Sequence, residues 1–292
     1  MNEFEIDKKQ VRRAFSRAAS DYDAAAVMQR EVCIRMLEKL DYIKQQPARL
    51  LDVGSGTGWG TRQLGERYPK ADITALDIAL GMLQHARGTS GWWRKLFHGH
   101  REQFLCADVE ALPLASGSVD MVWSNLALHW HAQPDRVFAE WRRALRLDGL
   151  LMFSCFGPDT MMELRRAFAD VDDLPHVLPF VDMHDFGDML VNAGFSTPVM
   201  DMEKITLTYG EPEKLLEDVR ALGGNPLMTR QQGLLGRKAY ERLLVALEKN
   251  RNADGRLTLT LEVVYGHAFR PVNRKTAAGE SIVRFDLPKK SS

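Results

Sequence analysis

Apolar and polar positions in the first half of the chain alternate in the manner of a β-α repeat. Residues 49–54 form a short apolar run that ends in glycine, which predicts a buried strand leading into a tight turn. The same pattern predicts further strands and intervening helices, with strands at 72–77, 104–108, 119–125 and 149–155 and helices at 59–68, 80–87 and 133–146. Apolar strands that alternate with helices predict an α/β fold, in which a mostly parallel sheet is covered by helices on both faces.

The segments on either side of this repeat have different patterns. Residues 8–41 carry apolar positions at helical spacing among charged residues, so they are predicted to be mostly helical. After residue 156, helices are predicted at 159–170, 185–193, 214–222 and 237–249, and strands at 199–209 and 257–265. The last segment, 271–292, is a polar tail.

The composition is that of an ordinary globular enzyme. The chain of 292 residues is 45% hydrophobic, and its 39 Lys+Arg balance its 39 Asp+Glu, so its net charge does not favour a nucleic-acid partner. Its 3 cysteines lie far apart without a C-x-x-C pair, which argues against a disulfide framework and a zinc site. The N-terminus is charged, and no run approaches the roughly 20 apolar residues of a membrane span. We therefore expect a cytoplasmic protein with no metal and no membrane or nucleic-acid partner.

The strongest motif is a glycine-rich loop directly after the first predicted strand, where residues 52–58 are DVGSGTG. Glycines at these positions allow a sharp turn and let a ligand approach the backbone closely. The spacing G-x-G-x-G differs from the G-x-G-x-x-G of dinucleotide-binding proteins, and no Lys-Ser or Lys-Thr follows as it would in a phosphate-binding P-loop.

Acidic residues follow the next two predicted strands. Asp77 ends the second strand, where a carboxylate can accept hydrogen bonds from both hydroxyls of a ribose. Asp108 and Val109 end the third strand, where a carboxylate and an apolar side chain can meet an adenine. Each acid taken alone could instead cap a helix N-terminus. Taken with the glycine loop, they indicate a nucleoside ligand at the carboxyl ends of the strands.

This combination resembles the class I S-adenosylmethionine-dependent methyltransferases, over roughly residues 45–155. The resemblance implies a Rossmann-like α/β fold and S-adenosyl-L-methionine as cofactor. The cofactor-binding residues that it implies are Asp52, Gly54, Ser55, Gly56, Gly58, Asp77, Ile78, Asp108, Val109 and Asn125.

Motifs outside this core extend the resemblance to the malonyl-[acyl-carrier protein] O-methyltransferase family of biotin synthesis. They lie at 13–23 with 28–29, 124–130, 156–165, 183–188, 193–195, 222–225 and 263–268. The family implies methylation of the free carboxylate of malonyl-acyl carrier protein, an acidic protein partner. It also implies an N-terminal helical lid at 1–44, a cofactor-binding core at 45–156, and a substrate-lid insertion with the remaining strands at 157–270.

Two alternatives share this core. One is a methyltransferase for a small molecule, and the other is a complex-assembly factor of the same fold that hydroxylates arginine or does not catalyse a reaction. Two segments depart from the family, since the Trp-rich basic loop at 91–101 is longer than expected and 223–225 is a looser match. The loop at 91–101 is either an ordinary surface loop or a contact patch for an acidic partner.

The expected chemistry needs little acid–base help, because a carboxylate is already ionised at neutral pH. It does need a cation to orient that carboxylate, and Arg165 is the candidate. Arg165 could equally well be an ordinary solvent-exposed arginine of a helix. Tyr22 is expected to close over the cofactor or simply to pack. His129 and His131 either line the substrate channel or are structural. An acidic carrier would dock on basic residues, for which Arg12, Arg13, Arg142, Arg143, Arg165, Arg166, Arg230, Arg237 and Lys238 are available.

Overall fold

One seven-stranded sheet forms the centre of the computed structural model, which describes residues 4–89, 101–221, 223–230, 233 and 235–272. In chain order the strands are β1 (Arg49–Val53), β2 (Asp72–Asp77), β3 (Glu102–Cys106), β4 (Val119–Ser124), β5 (Leu145–Phe156), β6 (Ser196–Tyr209) and β7 (Leu257–Phe269). The order across the sheet is β3-β2-β1-β4-β5-β7-β6. The first five strands are parallel, and β7 runs antiparallel between β5 and β6. The predicted α/β class with a mostly parallel sheet is therefore confirmed.

Helices lie before, between and after the strands. They are α1 (Lys8–Ala18), α2 (Tyr22–Ala25), α3 (Val27–Lys39), α4 (Trp59–Arg67), α5 (Leu80–Thr89), α6 (Pro134–Ala144), α7 (Met162–Ala169), α8 (Met183–Asn192), α9 (Pro212–Ala221) and α10 (Arg237–Glu248). No helix within the described residues is both long and apolar enough to cross a membrane.

Apolar layers cover both faces of the sheet, which is why its central strands are apolar throughout. One layer includes Met36 of α3 and Trp123 of β4. The other layer joins Phe138 and Trp141 of α6 to Phe153 of β5. Since β4 is buried along its whole length, its carboxyl end enters the middle of the molecule, beside the glycine loop.

Two element boundaries differ from the sequence prediction for identifiable reasons. The third strand ends at Cys106 rather than at 108, because the Asp108 side chain accepts a hydrogen bond from the Glu110 N–H at 3.0 Å and begins a 3-10 turn. The helix predicted from 159 begins at Met162, because the chain first turns over Glu262, whose carboxylate accepts from the Asp159 N–H at 2.7 Å.

The N-terminal helices and the segment after α9 are joined to each other. Ile6 forms an antiparallel bridge with Leu227, and the Asp7 N–H donates to the Pro226 carbonyl at 2.9 Å. Strands β6 and β7 lie in the same sheet as the strands of the core. The division at 44, 156 and 270 stays a prediction. The loop at 91–101, apart from its last residue, lies outside the described residues, as does most of the tail at 271–292.

Candidate active site

The glycine loop is fixed between β1, β2 and the segment that follows β4. Gly54 has a φ of 70°, and a Cβ built on it would lie 2.3 Å from the Ala127 Cβ, so only glycine fits there. The Asp77 carboxylate accepts from the Gly56 N–H at 2.9 Å and from the Ala79 N–H at 2.7 Å. The loop is thus held open at the carboxyl edge of the sheet, where ligands bind in α/β folds.

Two small adjoining cavities lie against this loop. The first, of about 90 Å³, is called the Asp77 cavity, and the second, of about 60 Å³, is called the Asp52 cavity. Both are lined by Tyr22, Gly54, Gly56 and Asn125. The Asp77 cavity is also lined by Asp77, Ile78 and Val109, and the Asp52 cavity is also lined by Asp52 and Ser55. Most of the cofactor residues expected from the sequence therefore come together around these two spaces.

The Asp52 cavity contains buried polar atoms without partners. The Gln29 Oε1, the Ser55 Oγ and the Trp123 Nε1 are all buried and make no hydrogen bond within the described structure. The Asp52 carboxylate accepts only from the Thr61 hydroxyl at 2.6 Å among the described contacts, and burial raises its pKa to about 7. Buried groups of this kind call for a polar ligand. Two donors and two acceptors fit the carboxylate and ammonium of a methionine moiety.

The Asp77 cavity fits the other end of S-adenosylmethionine. The Asp77 carboxylate faces it and retains oxygen lone pairs beyond those used by its two backbone donors. Burial raises the pKa of Asp77 above its usual range. Leu76, Met82 and Val109 line the cavity with apolar surface, which suits an adenine. The residues present therefore fit the cofactor in one orientation.

Two of the expected cofactor residues lie outside both cavities. Gly58 has a φ of 76° and precedes α4, where a Cβ would lie 3.0 Å from the Ala86 Cβ, so its role is packing. Asp108 lies in a surface depression that shares Lys8 with the Asp77 cavity. The Lys8 Nζ lies 2.7 Å from the Asp108 carboxylate and 2.8 Å from that of Glu110. In the structure Asp108 caps the 3-10 turn and pairs with Lys8 of α1, and a contact with the adenine stays a prediction.

Asp108, Glu110 and His131 place their ligand atoms within 4.8 Å of one another, a spacing that could hold a metal ion. The ammonium of Lys8 pairs with both carboxylates, and the His131 Nδ1 lies 3.2 Å from the Glu110 carboxylate. The negative charge of the cluster is thus compensated by side chains. His131 lines the Asp77 cavity rather than a separate substrate channel.

Tyr22 lies between the two cavities, at the start of α2, and lines both of them. Burial, with Asp77 and Asp23 nearby, raises the pKa of its phenol well above the usual range. The ring of Phe15 packs edge-on against it, with ring centroids 6.1 Å apart. Tyr22 therefore offers a neutral hydroxyl beside the glycine loop.

A larger cavity, of about 380 Å³, adjoins the Asp77 cavity at Trp130, which lines both. It is called the apolar cavity because aromatic and aliphatic side chains dominate its wall. Its lining residues are His129, Trp130, Phe156, Met161, Leu164, Phe168, His176, Val177, Leu178, Phe180, Leu216, Val219, Arg220, Gly224, Asn225, Arg230, Gly233, Leu235, Tyr240 and Leu243. Its volume falls in the usual range for small-molecule sites.

His129 lies in the wall of the apolar cavity among aromatic rings. Its ring centroid is 4.8 Å from those of both Trp130 and Phe156. Burial, with a smaller contribution from His131, lowers its pKa to about 3, so the imidazole is neutral at physiological pH. Its Nδ1 is buried and has no hydrogen-bond partner within the described structure.

Arg165, the candidate cation for the substrate carboxylate, lies at the protein surface. Its side chain is exposed on α7 and lines none of the three cavities described above. Its guanidinium donates to the carbonyls of Pro158 at 3.2 Å and Thr160 at 3.5 Å. The geometry thus gives no support to a contact between Arg165 and the substrate carboxylate, and this role stays a prediction.

Several lining residues were not identified from the sequence alone. Gln29 and Trp123 line the Asp52 cavity, and Arg220 lines the apolar cavity. Gln29 lies within the short motif at 28–29, and Trp123 lies just before the motif at 124–130. The family motifs could therefore have pointed to both residues. Arg220 had no such indication, because an arginine near the end of a helix is common on protein surfaces.

Comparison with known proteins identifies relatives over nearly the whole chain. A family model described as a methyltransferase domain matches residues 51–153. The chain is 59% identical to the malonyl-[acyl-carrier protein] O-methyltransferase of Gallionella capsiferriformans, over 97% of this chain and 98% of that protein. It is 53% identical to the protein of the same name from Laribacter hongkongensis, over 97% of each. The crystal structure of a Bacillus halodurans protein (BH2331) is similar in fold, with a TM-score of 0.59 at 15% identity, over 82% of this chain and 99% of that chain.

Proposed function

Because this chain belongs to the family of malonyl-[acyl-carrier protein] O-methyltransferases, we propose that it methylates the free carboxylate of malonyl-acyl carrier protein. The chain is an S-adenosylmethionine-dependent methyltransferase. The methyl group passes from the sulfonium of the cofactor to a carboxylate oxygen, and S-adenosylhomocysteine leaves. The product is a neutral methyl ester, which removes the negative charge from the end of the acyl group.

The observation that carries the proposal is the meeting of two kinds of cavity at Trp130. On one side, the Asp52 and Asp77 cavities offer the polar groups that a cofactor requires. On the other side, the apolar cavity is large enough for a slender acyl-pantetheine arm. A thioester that enters through the apolar cavity would bring its terminal carboxylate towards the cofactor.

In this arrangement catalysis rests on positioning and exclusion of water rather than on a base. A malonyl carboxylate is ionised at neutral pH and attacks without losing a proton. Tyr22 lines the Asp77 cavity and His129 lines the apolar cavity, and both side chains are neutral. We propose that they orient the carboxylate by hydrogen bonding. A neutral donor leaves more charge on the attacking oxygen than a tight guanidinium pair would.

Lys8 is the cationic residue among the described ones that line the Asp77 cavity, and its ammonium is already paired with Asp108 and Glu110. Arg30 lines the Asp52 cavity, and its guanidinium donates to the Asp23 carbonyl. A bound cofactor would add the positive charge of its sulfonium, which would also attract the incoming carboxylate.

An acidic carrier protein would need basic residues that remain available for docking. Of the residues considered from the sequence, Arg142 donates to the Gly194 carbonyl, Arg143 pairs with Glu140, and Arg237 pairs with Glu241. Arg12 and Arg13 line an exposed depression on α1. We propose the α1 face as part of the docking surface.

The described cysteines are free, which suits the reducing cytoplasm that we propose as the location.

The proposal is tested by incubating the protein with S-adenosylmethionine and malonyl-loaded carrier protein, and by measuring the intact mass of the carrier. We expect the malonyl carrier to gain one methyl group, with an equal amount of S-adenosylhomocysteine released. Acetyl-loaded carrier, which has no free carboxylate, is the control and should stay unchanged. Methylation of both carriers, or of neither while the cofactor still binds, would contradict the proposal.

A further inference from the structure

Two arginines stand out in the apolar cavity because its wall is otherwise almost free of charge. Arg220 lies in the last turn of α9, and Arg230 lies in the segment that follows it. Arg220 is exposed as well as cavity-lining, so the cavity opens to solvent beside it. Arg230 is half-buried, and its guanidinium donates to the Leu227 carbonyl at 2.8 Å.

Neither arginine forms an ion pair with a carboxylate within the described part of the chain. Other arginines of this protein commonly do, such as Arg143 with Glu140 and Arg251 with Glu248. Helix α9 gives one ordinary reason for a cation at Arg220, since cations stabilise the C-terminal ends of helices. That reason does not apply to Arg230, which follows a glycine-containing loop and still lines the same cavity.

The loop between the two arginines is shaped to bring Arg230 to the cavity. Gly223 has a φ of 118°, and a Cβ built on it would lie 2.6 Å from the Trp130 ring, so the chain turns tightly against that indole. The Asn225 side chain then donates to the Pro175 carbonyl at 2.6 Å. Within residues 223–230, Gly224, Asn225 and Arg230 therefore line the wall of the apolar cavity.

We propose that Arg220 and Arg230 form a phosphate-binding pair at the mouth of the apolar cavity, for the phosphate of a phosphopantetheine thioester. The inference rests on the proposed function, because a carrier protein presents its acyl group on such an arm. The arm has one anion at each end, the acyl carboxylate and the phosphate. Neither arginine lines the Asp52 or Asp77 cavity, where the carboxylate must react. Guanidinium groups are well suited to phosphate oxygens.

The first test measures binding without catalysis, by calorimetry with 4′-phosphopantetheine and with pantetheine, which lacks the phosphate. We expect the wild-type protein to bind phosphopantetheine about tenfold more tightly than pantetheine. We expect the double variant Arg220→Gln with Arg230→Gln to bind both equally. A preference for phosphopantetheine that survives in the double variant, or its absence from the wild type, would overturn the inference.

The second test compares steady-state kinetics with malonyl-carrier protein and with malonyl-pantetheine. The double variant should raise the KM for the carrier about tenfold and leave the KM for malonyl-pantetheine unchanged. Replacement by lysine should restore part of the loss for the carrier. An equal loss with both substrates would show that the arginines hold the carboxylate or the fold, and not the phosphate.

Arg256→Gln provides the matched control, since Arg256 is exposed, donates to the Thr208 carbonyl at 3.3 Å and lines none of the described cavities. It should behave as wild type in both tests. Failure of the proposed function can be distinguished from failure of the phosphate-binding inference. In the first case the wild-type protein would methylate no malonyl thioester, while its preference for phosphopantetheine could still be measured.

Discussion

Replacing Asp52 with asparagine keeps the size of a buried side chain and removes its charge. Asp52 lines the Asp52 cavity, and its carboxylate accepts from the Thr61 hydroxyl at 2.6 Å, a bond that an asparagine oxygen can also accept. In our account the carboxylate binds the ammonium of the methionine moiety. A hydrogen bond to a charged group contributes about 1.5–3 kcal/mol, so we expect Asp52→Asn to weaken the binding of S-adenosylhomocysteine about 10- to 150-fold.

The raised pKa of Asp52 also predicts that the affinity for the cofactor depends on pH. With a pKa of about 7, only the ionised fraction of the protein is ready to bind the ammonium. That fraction rises from about one in eleven at pH 6 to about three-quarters at pH 7.5, so the affinity of the wild type should rise about eightfold. The Asp52→Asn variant should lose this dependence. Any dependence that remains would belong to another buried carboxylate of the site, Asp77, whose pKa is also raised by burial.

Asp52→Asn should weaken cofactor binding but stabilise the ligand-free protein. Because folding raises the pKa of Asp52, the protonated form is favoured in the folded protein, and this group destabilises the fold as the pH rises from about 4 through 7. Asp52→Asn should therefore raise the melting temperature of the ligand-free protein at pH 7.5 while it weakens cofactor binding. Calorimetric titration at the two pH values and thermal melts measure both effects. A variant that binds as tightly as wild type, or that keeps the full pH dependence, would refute this role for Asp52.

Three further substitutions test other parts of the site. Gly54→Ala places a Cβ 2.3 Å from that of Ala127 at a φ of 70°, so cofactor binding should be lost and the melting temperature should fall; an unchanged melt would contradict this. Arg165→Gln should change kcat/KM by less than about twofold, since a surface side chain far from the chemistry contributes little, and a loss above tenfold would restore Arg165 to the mechanism. Lys8→Met breaks the pair with Asp108 at 2.7 Å and should weaken cofactor binding by about 1 kcal/mol, or about fivefold, as measured by calorimetry. A tighter complex would contradict this expectation, because it would mean that Lys8 obstructs the site.

The parts of the site that depend on local sequence could be predicted well. The glycine loop and Asp77 stand at fixed places in a strand-turn-helix unit, so their neighbours in the sequence are also their neighbours in space. The structure brings Gly54, Gly56 and Asp77 to one cavity, as that reasoning requires. The fold class followed in the same way, because apolar strands and amphipathic helices alternate with a clear period.

The parts that depend on distant packing could not be predicted. Which face of α7 is buried decides whether Arg165 meets the substrate, and that face is set by the packing of α7 on β7 and α10. Arg220 and Arg230 both line the apolar cavity, and Gly223 between them packs closely against the Trp130 ring. No local sequence pattern predicts this packing. The pairing of Asp108 with Lys8, 100 positions away in the chain, likewise could not be predicted from local sequence.

We propose that the methyl group goes to the free carboxylate of a carrier-bound malonyl thioester. The most direct measurement incubates the protein with methyl-labelled S-adenosylmethionine and an equimolar mixture of malonyl-loaded and acetyl-loaded carrier, and then fragments the carrier in the mass spectrometer. We expect the label to appear only in the acyl-pantetheine fragment from the malonyl carrier, as the methyl ester. Label on the polypeptide, on the acetyl carrier, or on neither carrier while S-adenosylhomocysteine accumulates, would contradict it.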